Sequence, residues 1–261
     1  MTKQELIKHI ESELSKNGFE SAHFEAQQLA AQCRNLEHAE ELLKRRLRHE
    51  PLQYILGEWE FYGITLKVGD GVLIPRQDTE TVAETAINLL SDTQNPTVFD
   101  LCAGSGCLGL AIEKHAGAKV NFFEKSEKAL RFLEENLKLT NSCGQIFKTD
   151  VLMPPPEEFY GVADMIFSNP PYIRSCVMPT LEKEVRLEPQ MALDGGEDGL
   201  MFYRTIAKLW KPALKKGGYL VFEIGFDQQA QVEHILKSEG FEDIKAIRDL
   251  CGNFRVIIGK F

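Results

Sequence analysis

Ser168-Asn169-Pro170-Pro171-Tyr172 carries the most specific chemical pattern in the chain. It follows the apolar run Ala163-Asp164-Met165-Ile166-Phe167, which reads as a buried strand with Asn169 at its end. Pro170 and Pro171 donate no backbone N–H, so they stop the ladder and stiffen the turn. Asn169 offers a side-chain carbonyl acceptor and an NH2 donor pair. The Pro170 carbonyl is left without a ladder role and can face a ligand, and Tyr172 places a flat ring at the rim. Two acceptors beside an aromatic plate suit a planar NH2 group, either an amide or the exocyclic amine of a base. Taken alone, the segment is equally a plain strand exit, because Asn-Pro and Pro-Pro mark turns. The surrounding elements must decide.

From Thr97 onward, strand and helix patterns alternate. Thr97 to Leu101 is a short buried strand, Cys102 to Cys107 a tight turn, and Leu108 to Ile112 lie on a helix. Ala118 to Phe123 is a second strand closing on Glu124. Ser126 to Leu139 is a helix with Ala129, Leu130, Leu133 and Leu137 inward. Gln145 to Thr149 is a third strand closing on Asp150. The alternation predicts an α/β fold with a parallel, doubly wound sheet, whose ligands sit at the carboxyl ends of the strands.

Gly104-x-Gly106, with Gly109 in the third position, falls short of a full G-x-G-x-x-G and is weak alone. Glu124, about twenty residues on, stands where a ribose diol is gripped. Asp100 sits just before the turn. A pyrophosphate requires a helix N-terminus without an acid beside it, whereas an acid suits a ligand bearing an amino group and a sulfonium. The pattern favours S-adenosylmethionine over NAD. Asn169 then falls at the end of the fourth strand, on the same edge as the Gly104 turn, so that a cofactor methyl and the Asn169 acceptor face each other.

Before this half lie helical patterns. Thr2-Lys3-Gln4-Glu5 fits a capping box, followed by Leu6, Ile7, Ile10 and Leu14 at helical spacing. Ser21 can cap a second helix running to about Cys33, with Phe24 and Leu29 as core positions. Glu37 to His49 reads as a third, with Leu42, Leu43 and Leu47 on one side. Its cluster Lys44-Arg45-Arg46-Arg48 is either a partner-binding patch or a solvated face near a helix C-terminus, where cations are favoured. Trp59 to Val68 alternates around Gly63 as a small antiparallel hairpin. In Pro75-Arg76-Gln77-Asp78-Thr79-Glu80, Asp78 or Thr79 can cap the next helix. Arg76 or Glu80 can reach the reaction cleft or brace it.

Beyond Tyr172, the loop to Leu200 is long for an α/β connection, which makes it a lid or a solvated excursion. Lys208 to Ala213 closes a helix that Lys216-Gly217-Gly218 ends. Tyr219 to Ile224 is a fifth strand, Gln228 to Ser238 a helix, and Ile244 to Asp249 pairs with Phe254 to Lys260 as a hairpin.

The 261 residues are 43% hydrophobic and 26% charged, enough for a large domain with a smaller one. A net charge of -9 argues against a broad duplex-binding face. Six scattered cysteines without a C-x-x-C pair read as reduced thiols in or near the core, and no metal site is expected. No run approaches the ~20 apolar residues that span a bilayer. The opening Met1-Thr2-Lys3-Gln4-Glu5 lacks a signal-peptide pattern. A cytoplasmic protein without membrane contact is expected.

Several longer stretches are more specific than the Asn-Pro-Pro-Tyr tetrapeptide, which adenine-N6 methyltransferases share. They are Pro51-Leu52-Gln53-Tyr54-Ile55-Leu56-Gly57, Phe61-Tyr62-Gly63, Val72-Leu73-Ile74-Pro75-Arg76 with Thr79-Glu80, Glu188-Pro189, Ala192-Leu193, Gly195-Gly196, Asp198-Gly199-Leu200, and Glu223-Ile224-Gly225 with Gln229. Together they resemble, nearly end to end, the bacterial release factor glutamine methyltransferases of the HemK-type protein-(glutamine-N5) family. The resemblance implies a seven-stranded, Rossmann-like class I S-adenosylmethionine-dependent methyltransferase domain over 73–261, with an antiparallel last strand. It implies an N-terminal helical domain and hairpin linker over 1–72 that grips the release factor. The implied substrate is the glutamine of the Gly-Gly-Gln motif of class 1 peptide chain release factors, and the implied cofactor product is S-adenosylhomocysteine.

Carried onto this chain, cofactor contacts fall on Cys102, Ala103, Gly104, Ser105, Gly106, Glu124, Val151 and Asn169, with Asp100 and Asp150 at their strand ends. Substrate contacts fall on Asn169, Pro170, Pro171 and Tyr172, with Arg76 and Glu80 beside them. Asn169, Pro170 and Tyr172 are the expected catalytic groups: two acceptors orient the amide nitrogen, and the ring packs on its plane, without a dedicated general base. A monomer without stable nucleic-acid binding is expected. Three positions depart from the family pattern: Cys102 replaces a glycine, Glu124 an aspartate, and Val151 an aromatic residue. The competing readings are an adenine-N6 methyltransferase on DNA or RNA, disfavoured by charge, and a non-catalytic cofactor-binding partner, disfavoured by the intact motifs.

Overall fold

The structure is a computed structural model that describes residues 2–261; Met1 lies outside the described residues. Thr2 opens α1 (Lys3–Lys16) with a complete capping box: Glu5 N–H donates to its hydroxyl, and its own N–H donates to the Glu5 carboxylate. α2 (Ala22–Gln32), α3 (Leu36–Leu47) and the short α4 (Leu52–Leu56) complete a helical unit around Ile10, Leu14, Leu29, Leu42 and Leu43. Ser21 stands at the α2 N-cap without a side-chain cap bond. Phe24 is not core; it is 47% exposed. It shares the i, i+4, i+8 stripe of Gln28 and Gln32, while Ala22, Ala26 and Leu29 turn inward.

The basic run on α3 is divided: Lys44 and Arg48 are exposed, as a solvated face requires, while Arg45 and Arg46 are engaged by acids. Arg46 is buried, with Nη2 reaching Glu25 Oε1 at 2.9 Å and Glu184 Oε1 at 2.7 Å. Arg45 pairs with Glu50. β1 (Glu58–Phe61) and β2 (Ile64–Lys67) form the expected hairpin. Tyr62 and Gly63 both take positive φ, 48° and 69°, as a two-residue hairpin turn requires.

The main sheet has the order β5-β4-β3-β6-β7-β9-β8. β3 (Thr97–Leu101), β4 (Lys119–Glu124), β5 (Gln145–Lys148), β6 (Ala163–Ser168) and β7 (Leu214–Glu223) run parallel, and β9 (Phe254–Lys260) is antiparallel to β7 and to β8 (Glu242–Arg248). Strand alternation splits the core. Val98, Phe122 and Phe167 face α5 (Glu80–Leu90), α6 (Cys107–Ala116) and α7 (Glu127–Thr140); Phe99, Phe123 and Phe222 face α8 (Met201–Leu209) and α9 (Gln229–Ser238). The helix expected to run to Ala213 ends at Leu209, ahead of Pro212, and Lys215 to Gly218 belong to β7. The register shifts there, between Ala163 and Met165, and Lys215 pairs with Asp164.

Two ties fix the helical unit and hairpin against the sheet domain. The buried Asn136 on α7 accepts from Lys67 N–H (2.6 Å) and donates to the carbonyls of Lys67 (3.1 Å) and Ser105 (2.9 Å). The loop from Tyr172 to Leu200 is no free excursion. Glu184 reaches Arg46, and the buried Glu188 accepts from Ile74 N–H (3.0 Å) and pairs with Arg76. Cys143, Cys176 and Cys251 lie on the surface rather than in the core. Among the described residues, no helix is long and apolar enough to cross a membrane.

Removing Arg46 leaves the buried Glu25 carboxylate unpaired. Arg46→Ala is expected to lower the unfolding free energy by about 3–5 kcal/mol, whereas Arg46→Met with Glu25→Gln recovers much of it; urea midpoints at constant slope measure both.

Candidate active site

A cleft of about 320 Å³ opens over the carboxyl ends of β3, β4 and β6. Its walls combine the bridging loop (Val72 to Arg76), the 102–105 turn, the 149–152 segment and the strap residues Pro189, Met191, Ala192 and Asp194. β3 and β6 are parallel neighbours with Leu101 opposite Ser168, and the Ser168 hydroxyl donates to the Leu101 carbonyl at 2.6 Å. The 102 turn and Asn169 therefore leave the sheet side by side.

In that turn, Cys102 takes φ 60°, the left-handed conformation a glycine adopts without strain. The backbone path of the family glycine is thus kept with a side chain present. Burial pushes the Cys102 thiol pKa upward, and burial, followed by the Asp100 charge, pushes Cys107 to about 12, so both remain thiols. Glu124 accepts from Gly104 N–H (2.8 Å) through one oxygen and from Lys125 and Ser126 N–H (2.8 and 2.7 Å) through the other. A carboxylate has about four acceptor sites, so Glu124 shapes the turn with most of them and keeps little more than one for a ribose hydroxyl. Gly106 does not line the cleft; it is the N-cap of α6, and a Cβ there meets Leu133 Cδ1 at 2.4 Å.

Asp100 is buried in the cleft wall and accepts from Gly109 N–H at 3.0 Å. Burial drives its pKa well above the carboxylate range; Gly109 opposes this and the Glu124 charge adds to it. No basic group stands among the causes acting on it, so a cationic ligand is what would restore its charged form in this wall. That is the structural fit to a sulfonium carrying an ammonium group. Asp150 also lines the cleft. Burial alone raises its pKa, but the Lys125 ammonium (2.7 Å) and Leu152 N–H (3.1 Å) hold it below its usual value. Val151 lines the cleft with its side chain, and its carbonyl accepts from Trp210 Nε1 at 2.9 Å. Beneath it, Phe123 packs edge-on to Trp210 at 4.8 Å and stacks on Phe147 at 5.2 Å.

Asn169 and Pro171 line the same cleft, as do Arg76 and Thr79. Asn169 Nδ2 donates to Thr79 Oγ1 at 3.3 Å, and among the described residues nothing donates to Asn169 Oδ1. Nothing described donates to the Pro170 carbonyl either, although the Pro170 ring is buried outside the cleft wall. Tyr172 does not stand at the rim. Its half-buried ring packs on the core, and its hydroxyl donates to Glu223 Oε1 at 3.2 Å. Burial, then the Glu223 charge, raises its pKa. Glu80 lies outside this cleft, in a neighbouring groove, and accepts from Tyr62 N–H at 2.9 Å. Arg76 braces Glu188 from the cleft wall.

Three further residues, Thr79 in the cleft wall and Glu223 and Gln228 outside its lining, carry no site role in the sequence reading. Thr79, read there as a cap, makes no cap bond. Glu223 ends β7, buried, with Oε2 unpartnered among the described residues. Gln228 donates to the Tyr172 carbonyl at 3.0 Å. A carboxylate closing a parallel strand was the available signal for Glu223, as it was for Glu124.

Comparison with known proteins identifies the family. Residues 55–205 match the family model described as Conserved hypothetical protein 95, and residues 34–57 match the PrmC N-terminal domain. A release factor glutamine methyltransferase from Thermodesulfovibrio yellowstonii is 43% identical over 223 residues, which cover 83% of this chain and 78% of that protein. Another from Fusobacterium nucleatum is 40% identical over 225 residues, 85% of this chain and 63% of that one. A solved methyltransferase from Pyrococcus furiosus shares the fold, with a TM-score of 0.58 at 17% identity over 77% of this chain and 90% of that chain. By its identity to these relatives over most of its length, the chain belongs to the release factor glutamine methyltransferase family.

Proposed function

We propose that this chain transfers a methyl group from S-adenosylmethionine to the side-chain amide nitrogen of the glutamine in the Gly-Gly-Gln motif of class 1 peptide chain release factors. The observation that carries the reading is the free Asn169 Oδ1 in the wall of the cleft that the 102–105 turn also lines. When bound, S-adenosylmethionine supplies a sulfonium methyl open to displacement. Asp100 and Glu124 hold its cationic and ribose portions, and Asp150 and Val151 border the adenine.

An amide nitrogen is a poor nucleophile because its lone pair is shared with the carbonyl. Asn169 Oδ1 and the Pro170 carbonyl accept its two hydrogens, which aims the nitrogen and places two negative dipoles where positive charge develops. As the N–C bond forms, the electron pair of the broken S–C bond stays on sulfur to leave S-adenosylhomocysteine, and the nitrogen loses one hydrogen as a proton to solvent. Alignment of this kind contributes up to roughly 7–11 kcal/mol in favourable cases, and the preorganised dipoles add to it. Pro189, Met191, Ala192 and Asp194 of the strap wall one side of the cleft.

Residues 1–72 form the recognition part in this reading. A second groove, lined by Phe24, Gln28, Trp59 and Glu80, shares Pro75 and Arg76 with the cleft. A release factor resting there delivers its loop into the cleft. In this reading the protein acts as a monomer.

Purified protein is expected to label a class 1 release factor with tritiated S-adenosylmethionine, but not its Gly-Gly-Gln Gln→Ala variant. Label on DNA or RNA instead refutes the reading. Asn169→Ala is expected to fold and to bind cofactor while losing on the order of 100-fold or more in kcat. Asp100→Asn, by contrast, is expected to weaken S-adenosylmethionine binding roughly 10-fold or more by calorimetry, because one charge pair is lost in a low-dielectric wall.

A further inference from the structure

We infer that Thr79 and Glu223 are positioning residues for methyl transfer, which together decide which end of the Asn169 amide meets the substrate. The inference rests on the proposed glutamine methylation. The two ends of an asparagine amide have nearly the same shape and opposite hydrogen-bonding character. Only Oδ1 can accept a substrate N–H; a flipped amide sets two donors against two donors. Something must hold Nδ2 away from the cleft, and here that group is the Thr79 hydroxyl, which accepts from it at 3.3 Å.

Thr79 is spared for this task. It is buried, stands at the N-cap of α5, and makes no cap bond with its side chain. A hydroxyl has one hydrogen and two lone pairs. It accepts reliably from Asn169 only if its own hydrogen is given elsewhere. Glu223 is the neighbour able to take it. Its Oε1 already receives the Tyr172 hydroxyl, and its buried Oε2 has no donor among the described residues. Thr79 lowers the Glu223 pKa, the direction that a hydroxyl donating to the charged carboxylate gives. The same carboxylate thus steadies both ends of the Asn169 to Tyr172 segment, with Gln228 holding the Tyr172 carbonyl.

The arrangement depends on the charge of Glu223. An ionised Glu223 takes the Thr79 hydrogen. A protonated one donates to Thr79, whose own hydrogen then turns to Asn169 and draws Oδ1 out of the cleft. Burial is the main force raising the Glu223 pKa, to about 7. Thr79, Arg255 of β9 and Tyr172 oppose the rise, and Asp78 of the bridging loop adds to it. Arg255 is itself shared with Asp78 at 2.9 Å and Asp249 at 3.2 Å, so it neutralises Glu223 only in part. The active orientation is therefore present above about pH 7 and lost as the pH falls through it.

The test is steady-state methylation of the purified release factor across pH 5.5–9 by the wild type, Thr79→Val, Thr79→Ser and Glu223→Gln, with S-adenosylmethionine affinity and melting temperature measured on each. Thr79→Val keeps the shape and removes the hydroxyl. It is expected to lose on the order of 100-fold in kcat with unchanged cofactor affinity and melting temperature, and Thr79→Ser restores activity. Glu223→Gln, locked in a neutral form, is expected to be slow at every pH and to lack the acid limb of the wild type. Wild-type kcat in Thr79→Val, or an acid limb that persists in Glu223→Gln, overturns the inference while leaving glutamine methylation standing. No label from the wild type overturns both. If Thr79→Val does not fold, the pH profile of Glu223→Gln decides alone.

Discussion

The bond from the Ser168 hydroxyl to the Leu101 carbonyl joins β3 and β6 where both strands end. The site depends on that register. Adjacent strands lie about 4.8 Å apart, so two loops leaving neighbouring strands at the same level start within a few ångströms of each other. One loop is the 102–106 turn and the other begins at Asn169. A slip of two residues along the strand displaces one loop from the other by roughly 7 Å, too far for a group held by one to react with a group held by the other. The prolines after Asn169 end the β6 ladder there, and the left-handed Cys102 ends β3. The register and these two stops define the distance across which chemistry occurs.

Acids at the strand ends then divide the work by their partners. Asp100 has one backbone donor and burial that disfavours its charge, so a cation beside it restores the carboxylate. Glu124 is wrapped by three backbone N–H groups and is mainly a builder of the turn. Asp150 is neutralised by Lys125. Glu223 sits a layer behind, bound to Tyr172 through one oxygen, with the other open to a further donor. The residue types are alike, and local donors make them different. In a buried wall each missing donor carries a cost of roughly 1–3 kcal/mol, which a bound ligand offsets at Asp100.

The alternation of strands and helices, the hairpin and the capping box were legible because each is a local pattern of two to fifteen residues. So were Asn169 and the Gly104 turn, since strand ends announce themselves through proline, glycine and acid. What escaped was long-range. Phe24 is as apolar as a core residue, and only the packing of α1 decides that Ala22, Ala26 and Leu29 are buried in its place. Arg46 belongs to a basic run, and its burial goes with acids on other elements, Glu25 and Glu184, 21 and 138 residues away. Tyr172 was read from its motif as a rim plate, but the carboxylate that draws its hydroxyl inward lies on β7, 51 residues on. Thr79 has a strong local role available as a cap and gives it up to a partner 90 residues away. Local rules describe what a side chain can do, while tertiary competition selects which of these it does.

The strap shows the same competition at the scale of domains. Two of its acids meet two arginines: Glu184 with Arg46 of the helical unit, and Glu188 with Arg76 of the bridging loop. Paired charges of this kind contribute little net stability, because desolvation consumes most of the attraction, yet breaking one partner is costly. Their effect here is on placement. Apolar residues such as Pro189, Met191 and Ala192 can rest against many surfaces, whereas a carboxylate at Glu188 is satisfied only where Ile74 N–H and Arg76 converge. The strap is thereby fixed over the cofactor side of the cleft and tied, through Arg46, to the unit that carries the second groove. A shift of the helical unit must break the Arg46–Glu184 pair or carry the strap with it, so the placement of the one is coupled through charge to the placement of the other.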